Sequence, residues 1–246
     1  LNECVIMDFE IWEKSYMEIL DDFGFSRDGD ESSASTLNIL LNLQGSLTFE
    51  DLQDKITNCR DADKVIVFGA GPSLKNSVIK LKRDYDLNDY VLISADGATT
   101  ALIEEKIVPD IVVTDLDGNI DDILIANTRD AAVVVHAHGD NEESLLKYTE
   151  YFTNVLGTTQ SKPFGNLYNF GGFTDGDRAV FLAVALGAKD ILLAGMDFGD
   201  VVTKYSRPNN KNLLEPADDI KKKKLQYGEK LLSWIEDNED VCLTFL

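Results

Sequence analysis

Five short apolar runs punctuate residues 64–199, and each ends in glycine or aspartate: "KVIVFGAG", "YVLISADG", "DIVVTDLDG", "AAVVVHAHGD" and "DILLAGMDFG". Their β-branched content reads as strands, and their unbroken apolarity implies burial on both faces, the state of strands inside a parallel sheet. Between them lie stretches of helical spacing, such as "SLKNSVIKLKRDY", "ATTALIEEKI", "NEESLLKYTEYF" and "DGDRAVFLAVALGA". Strands alternating with helices predict an α/β fold, a mostly parallel sheet with helices on both faces. "TNVLGTTQ" and "VCLTFL" supply further strands, and "PADDIKKKKLQYGEKLLSWIEDNE" a long C-terminal helix.

Upstream the pattern differs. "DFEIWEKSYMEILD" (8–21) carries Phe9, Trp12, Tyr16, Ile19 and Leu20 at helical spacing. "SRDGDESSAST" (26–36) reads as a polar loop, "LNILLNLQG" as a second helix closed by Gly45, and "LTFEDLQDKITNC" as a third. The expected division is an N-terminal helical segment over 1–62, with no chemistry of its own, and an α/β domain over 63–246.

Lys plus Arg is 23 against Asp plus Glu 44, a net charge of −21 in 246 residues. That field repels nucleic acid and anionic membrane surfaces. It would repel a polyphosphate too, unless divalent cations and a local basic patch intervene. No apolar run reaches the ~18–20 residues that span a bilayer, and no leader pattern is read at the start. Cys4, Cys59 and Cys242 are odd in number and widely spaced, which argues against a disulfide framework and for a reducing cytoplasm.

The polar residues fall at the ends of the strands. Gly69 and Gly71 follow the first, Asp96 the second, Asp115 and Asp117 the third, Asp140 the fourth, and Asp197 a later one. A parallel sheet gathers these at its carboxyl edge, where open α/β folds bind ligands, so one cleft is expected. Asp115 and Asp117, two residues apart, would lie on the same side of an extended segment and repel each other. A positive charge is expected between them.

Each motif adds a candidate contact. In "VFGAGPSL", Gly69 and Gly71 allow close backbone approach and Ser73 can cap the following helix, so its freed N–H groups face an anion. Leu74 stands where a dinucleotide fingerprint has its third glycine, and the Gly-Lys-Ser/Thr of a Walker A loop is missing. "HAHGDN" holds both histidines of the chain, too few for a dedicated zinc centre. Asp140 and Asn141 suit a hard cation or a nucleotide better, and His136 reads equally as a strand-end histidine satisfied by backbone. In "YNFGGFTDGDRAV", Thr174 can cap a helix, and Asp175 and Asp177 favour its dipole. Phe170, Phe173, two glycines and Arg178 in one loop also suit a planar heterocycle. "TKYSRPNNK", with Lys204, Arg207 and Lys211, reads as a basic phosphate clamp or lid, and "KKKK" (221–224) as a solvated helix face.

Taken in order, "GAGPSL", "ADGA", "PDIVVTDLDG", "HAHGDN", "GFTDGDRA" and "GMDFG" resemble the archaeal-type, MptE-like 6-hydroxymethyl-7,8-dihydropterin pyrophosphokinase family. The likeness runs from residue 65 to about 207. The catalytic half also looks like thiamin pyrophosphokinase, with its similar "ADG" and D-x-D pair. The resemblance implies a Rossmann-like, thiamin-pyrophosphokinase-like fold whose α/β domain binds nucleotide. It also implies Mg²⁺-dependent transfer of diphosphate from ATP, the co-substrate, to the hydroxymethyl group of a reduced pterin. Mg²⁺ would lie on Asp115 and Asp117 with Asp96 or Asp140. ATP would meet Gly69, Gly71, Pro72, Ser73, Asp96, Gly97, His138 and Asn141. The pterin would be framed by Phe170, Gly172, Phe173, Thr174, Asp175 and Asp197. Asp115, Asp117, Asp177, Lys204 and Arg207 would carry catalysis, Asp177 also suiting the amino-pyrimidinone edge. The expected partners are ATP and a reduced pterin, with neither nucleic acid nor membrane; a homo-oligomer is compatible. Alternatives are the same fold acting on thiamin or as a nucleotide-sugar transferase, and a non-catalytic nucleotide-binding protein. A haloacid-dehalogenase-type phosphatase would use Asp115 of "TDLDG" as nucleophile, although that motif usually sits on a first strand.

Overall fold

The computed structural model describes residues 8–246. In chain order the elements are α1 (Phe9–Phe23), α2 (Arg27–Gln44), α3 (Phe49–Thr57), β1 (Lys64–Phe68), α4 (Leu74–Asp84), β2 (Val91–Ala95) and α5 (Ala98–Glu104). There follow β3 (Ile111–Thr114), α6 (Ile120–Thr128), β4 (Ala132–Ala137), α7 (Glu142–Tyr148), β5 (Val155–Thr159) and β6 (Leu167–Tyr168). The chain ends with α8 (Asp175–Ala185), β7 (Asp190–Ala194), β8 (Val201–Thr203), β9 (Leu214–Pro216), α9 (Asp219–Asn238) and β10 (Cys242–Phe245).

Eight strands form one parallel sheet in the order β10-β7-β1-β2-β3-β4-β5-β6. All residues of β2, β3, β4 and β5 are buried, as the apolar runs required. Alternate side chains enter opposite cores. Val65, Val67, Ile93, Val113 and Val134 pack with α8, α9, α1 and α3 on one face. On the other face Val112, Val133 and Val135 meet α2, α6 and α7, while Ile66 and Phe68 meet α4 and α5. From β1 the chain steps outward to β6, then returns to place β7 on the other side of β1. That reversal creates a switch point between the carboxyl ends of β1 and β7, at Gly69–Gly71 and Gly195–Asp197.

Two departures from the sequence reading concern polar stretches. Residues 26–36 are not a loop but belong to α2, which runs from Arg27 to Gln44. Ser26 accepts from the Gly29 N–H at 3.3 Å, and Asp28 and Asp30 complement the helix dipole, so a stretch poor in apolar residues still starts a helix. Residues 201–216 form a hairpin of β8 and β9 rather than an open loop. Among the described cysteines, Cys59 and Cys242 are free and exposed; Cys4 lies outside the described residues. No described helix is long and apolar enough to cross a membrane.

The helices α1, α2 and α3 share the sheet's cores. Trp12, Tyr16 and Leu52 enter one cluster, Leu37 and Leu41 the other. Leu37 on α2 is fully buried. Leu37→Ala should therefore lower stability by about 3 kcal/mol, the usual cost of a buried leucine cavity, and move the unfolding of the whole chain. Urea denaturation followed by both tryptophan fluorescence and circular dichroism checks this; a shift in one probe alone would show the helices melting apart from the sheet.

Candidate active site

Asp96 follows β2 with φ 38°, and Leu116 lies between the paired aspartates with φ 68°, both in the left-handed region that side-chain-bearing residues rarely adopt. The turn at Leu116 drives its side chain into the core while Asp115 and Asp117 stay at the edge. The pair thus converges through a turn rather than through an extended segment. One carboxylate oxygen from each of Asp96, Asp115 and Asp117 lies within 4.8 Å of the others. Gly118 closes the group, because a Cβ there would stand 2.1 Å from Asp96 Oδ2. The Thr114 hydroxyl donates to Asp96 at 2.5 Å, and the Leu116 N–H donates to Thr114 Oγ1 at 2.8 Å.

Burial and the charges of Asp175, Asp115 and Asp117 push the Asp96 carboxyl well up. Burial and Asp115 push Asp117 up to about 6. Burial alone would raise Asp115 too, but hydrogen bonding and charge from His138 carry it well below the usual carboxylate range. His138 bridges two carboxylates, with Nε2 3.0 Å from Asp115 and Nδ1 2.8 Å from Asp140. Burial opposes its charge, yet these two partners hold it protonated, up to about 9. Part of the expected positive charge is therefore His138. Three hard oxygen donors with surplus negative charge fit a divalent cation such as Mg²⁺. Asp140, expected among the ligands, stands outside the group; its largely exposed carboxylate serves His138 instead.

Around the acidic group opens one cavity of about 390 Å³. Of the residues expected at the site, Gly69, Gly71, Asp96, Gly97, Asp115, Asp117, His138, Asp140, Phe173, Thr174, Asp175 and Asp197 line it. The others do not line it. Ser73 does not offer its N–H and hydroxyl to the cavity, because both donate at 2.8 Å to Asp197, whose carboxylate occupies the N-terminus of α4; Pro72 is not at the cavity either. A Cβ on Gly71 would stand 2.3 Å from the same carboxylate, so this glycine is needed for packing between the β1 and β7 loops. Asn141 is a brace, donating to the carbonyls of Asp115 and His136 at 2.9 and 2.7 Å and accepting from the His138 N–H at 3.0 Å.

Asp177 is a helix cap. Its buried carboxylate accepts from the N–H groups of Phe173 and Thr174, at 2.6 and 2.8 Å, and from the Thr174 hydroxyl. It is fully buried and does not line the cavity, so it presents no edge to a heterocycle there. Phe170 is core, stacked on Tyr168 and tilted against Phe49, and Gly172 packs against Arg178. Lys204 and Arg207 do not reach the cavity. The Arg207 guanidinium pairs with Asp218 at 2.6 Å, and the Lys204 ammonium lies 5.4 Å from the Tyr205 ring centre.

Cations at the cavity come from elsewhere. Arg178 on α8 reaches Asp175 and the Gln160 amide oxygen, each at 3.3 Å. Asp175 is pushed up to about 8 by burial and by Asp115, against the pull of Arg178. Lys221 and Lys224 of α9 also line the cavity, contrary to the solvated face read from "KKKK". The N-terminal segment, in whose sequence no chemistry is read, contributes Phe25, Ser26, Gly29 and Asp30. Asp30 is 2% exposed and accepts from the Gly139 N–H, the Tyr16 hydroxyl and the Gln160 amide at 2.7, 2.7 and 2.8 Å. Its sequence signal was an aspartate on the apolar side of an amphipathic stretch.

Fold and site define an open parallel α/β protein with a carboxylate-rich cleft at the carboxyl edge of its sheet, the arrangement of a phosphate-handling enzyme. Residues 37–203 match the family described as 6-hydroxymethylpterin diphosphokinase MptE-like. The chain belongs to that family. It is 54% identical over 236 residues to the 6-hydroxymethyl-7,8-dihydropterin pyrophosphokinase of Methanothermobacter thermautotrophicus, covering 96% of this chain and 98% of that one. Proteins of the same name from Methanocaldococcus jannaschii and Pyrococcus furiosus are 43% and 46% identical, covering 96% and 94% of this chain and 98% and 96% of their own. Among solved structures, the MAf glycosyltransferase of Magnetospirillum magneticum is similar at TM-score 0.48 and 15% identity, over 76% of this chain and 34% of that one. The sialyltransferase CstII of Campylobacter jejuni is similar at TM-score 0.41 and 18% identity, over 74% of this chain and 79% of that one.

His136, beneath the cavity floor, makes its one bond through Nδ1 to Thr158 Oγ1 at 3.0 Å, and Nε2 is unpartnered. Burial, with Arg178 and His138 nearby, holds its pKa well below the ordinary 6.5. A base whose folded pKa is depressed takes up a proton only on unfolding, so stability is lost as pH falls below about 6.5. Replacing His136 by Gln should flatten this acid-side loss. Melting temperatures of both proteins in chelator between pH 8 and 5 check it, and parallel slopes would show that His136 is not the group responsible.

Proposed function

We propose that the chain is a pterin pyrophosphokinase, moving the β,γ-diphosphate of ATP onto the hydroxymethyl group of a reduced 6-hydroxymethylpterin with release of AMP. The names of relatives 43–54% identical over almost the whole chain support the acceptor. The observation that carries the phosphate chemistry is the convergence of Asp96, Asp115 and Asp117 within 4.8 Å at the edge of a cavity of substrate size. The product would enter pterin cofactor biosynthesis of the folate or methanopterin type.

In this reading Asp96, Asp115 and Asp117 hold Mg²⁺. The ion, when bound, neutralises charge on the phosphate chain. Everything else is positioning, since phosphoryl transfer needs little covalent participation from the protein. The acceptor oxygen forms a bond to the β-phosphorus. The bond from that phosphorus to the α,β-bridging oxygen breaks, and AMP leaves with that oxygen. The hydroxyl proton passes to a cavity carboxylate. Asp175 is the best placed: Asp30 is saturated with donors, Asp140 serves His138 and Asp197 serves Ser73, whereas Asp175 meets only Arg178 at 3.3 Å. His138 keeps Asp115 ionised and aimed. Phe173, Phe198 and Phe25 give the cavity flat apolar walls suited to a heterocycle.

Incubation with ATP, Mg²⁺ and 6-hydroxymethyl-7,8-dihydropterin should yield AMP and a pterin diphosphate in equal amounts. ADP formation, phosphate release without acceptor, or no turnover sinks the reading. Asp117→Asn should lower kcat on the order of 100-fold while leaving the melting temperature unchanged or raised, because it removes a metal ligand and relieves like-charge repulsion. Full activity in that variant would place the metal elsewhere.

A further inference from the structure

The four lysines at the start of α9 divide by helical geometry. Lys222 turns to Asp200 at 3.8 Å. Lys223 reaches the Asp22 carboxylate at 3.2 Å and the Asp22 carbonyl at 2.8 Å. Lys221 and Lys224, three residues apart and hence on one face, line the cavity instead. The Lys224 ammonium lies 5.7 and 5.8 Å from the ring centres of Phe25 and Phe173, which border the same cavity. Lys221 is within the electrostatic reach of Asp175 and Asp117.

Two cations on the wall of a cavity normally carry carboxylate partners, because an unpaired buried charge is costly. The other cations there do: His138 has Asp115 and Asp140, and Arg178 has Asp175. Among the described residues no carboxylate forms an ion pair with Lys221 or Lys224, in a chain with 44 acidic residues to choose from. Their outward neighbours in the same run both found one. Within this run the pairing is missing on the face turned to the cavity, which points to an anion that arrives from outside the protein.

We propose that Lys221 and Lys224 bind the diphosphoryl portion of a nucleoside triphosphate, the part transferred in the reaction proposed above, on which this inference rests. Lys221 stands on the side of the acidic group and takes the phosphates that a cation there would also neutralise. Lys224, held between Phe25 and Phe173, takes the terminal phosphate toward the cavity wall. As the bond between the β-phosphorus and the bridging oxygen breaks, both ammonium groups stay with the diphosphoryl group rather than with AMP.

The test compares two nucleotides that differ in this portion and in the methylene group that joins it to the α-phosphorus. Binding of α,β-methylene-ATP and of AMP, each with Mg²⁺, is measured by calorimetry on the full chain. Lys221→Ala and Lys224→Ala should each weaken the triphosphate analogue by about tenfold or more, the worth of a charge-assisted contact, and AMP by less than about twofold. Lys222→Ala should change neither. Retained affinity for the analogue, or equal losses for analogue and AMP, overturns the proposal. Should an alanine variant fail to fold, Lys221→Met and Lys224→Met keep the apolar stem and are judged by the same criterion. Turnover of the unaltered protein with the pterin is scored separately. Binding of the analogue without pterin diphosphate overturns the acceptor while the lysine assignment is still decided by the variants. If the unaltered protein binds neither nucleotide, both fall.

Discussion

Asp96, Asp115 and Asp117 present oxygens within 4.8 Å of one another, from buried Asp96 to exposed Asp117, and the carboxyl edge of the sheet is arranged to bear that repulsion. His138, from the end of β4, places an imidazolium 3.0 Å from Asp115, and Asp140 holds the other side of its ring. Asn141 locks the end of β3 to the end of β4 through three hydrogen bonds, so histidine and aspartate cannot drift apart. Asp117 and Asp96 have no such partner, and burial together with the charges of their acidic neighbours raises both pKa values. Repulsion relieved at one member of the group and left standing at the other two suits a site that completes its charge with a metal ion.

A second carboxylate performs the structural counterpart. Asp30 sits where α1, α2 and the ends of β4 and β5 meet, and its two oxygens collect the Gly139 N–H, the Tyr16 hydroxyl and the Gln160 amide. Gln160 in turn accepts from Arg178, which holds Asp175. The N-terminal helices therefore reach the cavity through a continuous chain of polar contacts, and the wall formed by Phe25, Ser26 and Gly29 is fixed by the same buried group. A segment that looks like an appendage in the sequence is a wall of the site.

The sheet was legible because burial on both faces of a parallel strand leaves no room for polar residues, and each run ended where the chain regained solvent. The acidic half of the site was legible for the same reason: strand ends in a parallel sheet share one edge, so Asp96, Asp115, Asp117 and His138 had to meet. What the sequence concealed depends on partners far along the chain. Ser73 looked free to cap or to bind an anion, but its partner Asp197 is 124 positions away. Arg207 looked like a clamp, but Asp218 on the far side of the β8–β9 hairpin neutralises it. Asp177 looked like a substrate contact and a dipole residue at once. The Phe173 and Thr174 N–H groups resolve the ambiguity, because they hold the carboxylate fully buried and away from the cavity.

The charge of the chain poses a last physical problem. With a net −21, the long-range field opposes any polyphosphate that approaches. Screening shortens that field to about 10 Å at ordinary salt, so what decides binding is the charge within a few ångströms of the cavity wall. There the distribution differs from the average. Arg178, His138, Lys221 and Lys224 all line a single cavity, although the whole chain holds only 23 lysines and arginines and two histidines. The first two are spent on aspartates that must be kept in place, and the second two are kept free by helical spacing, which gave their neighbours Lys222 and Lys223 to Asp200 and Asp22. On the function proposed above, a polyphosphate would meet two uncommitted cations there, beside an acidic group that would repel it unless a metal ion came with it. That combination would select a metal-complexed polyphosphate over a bare one.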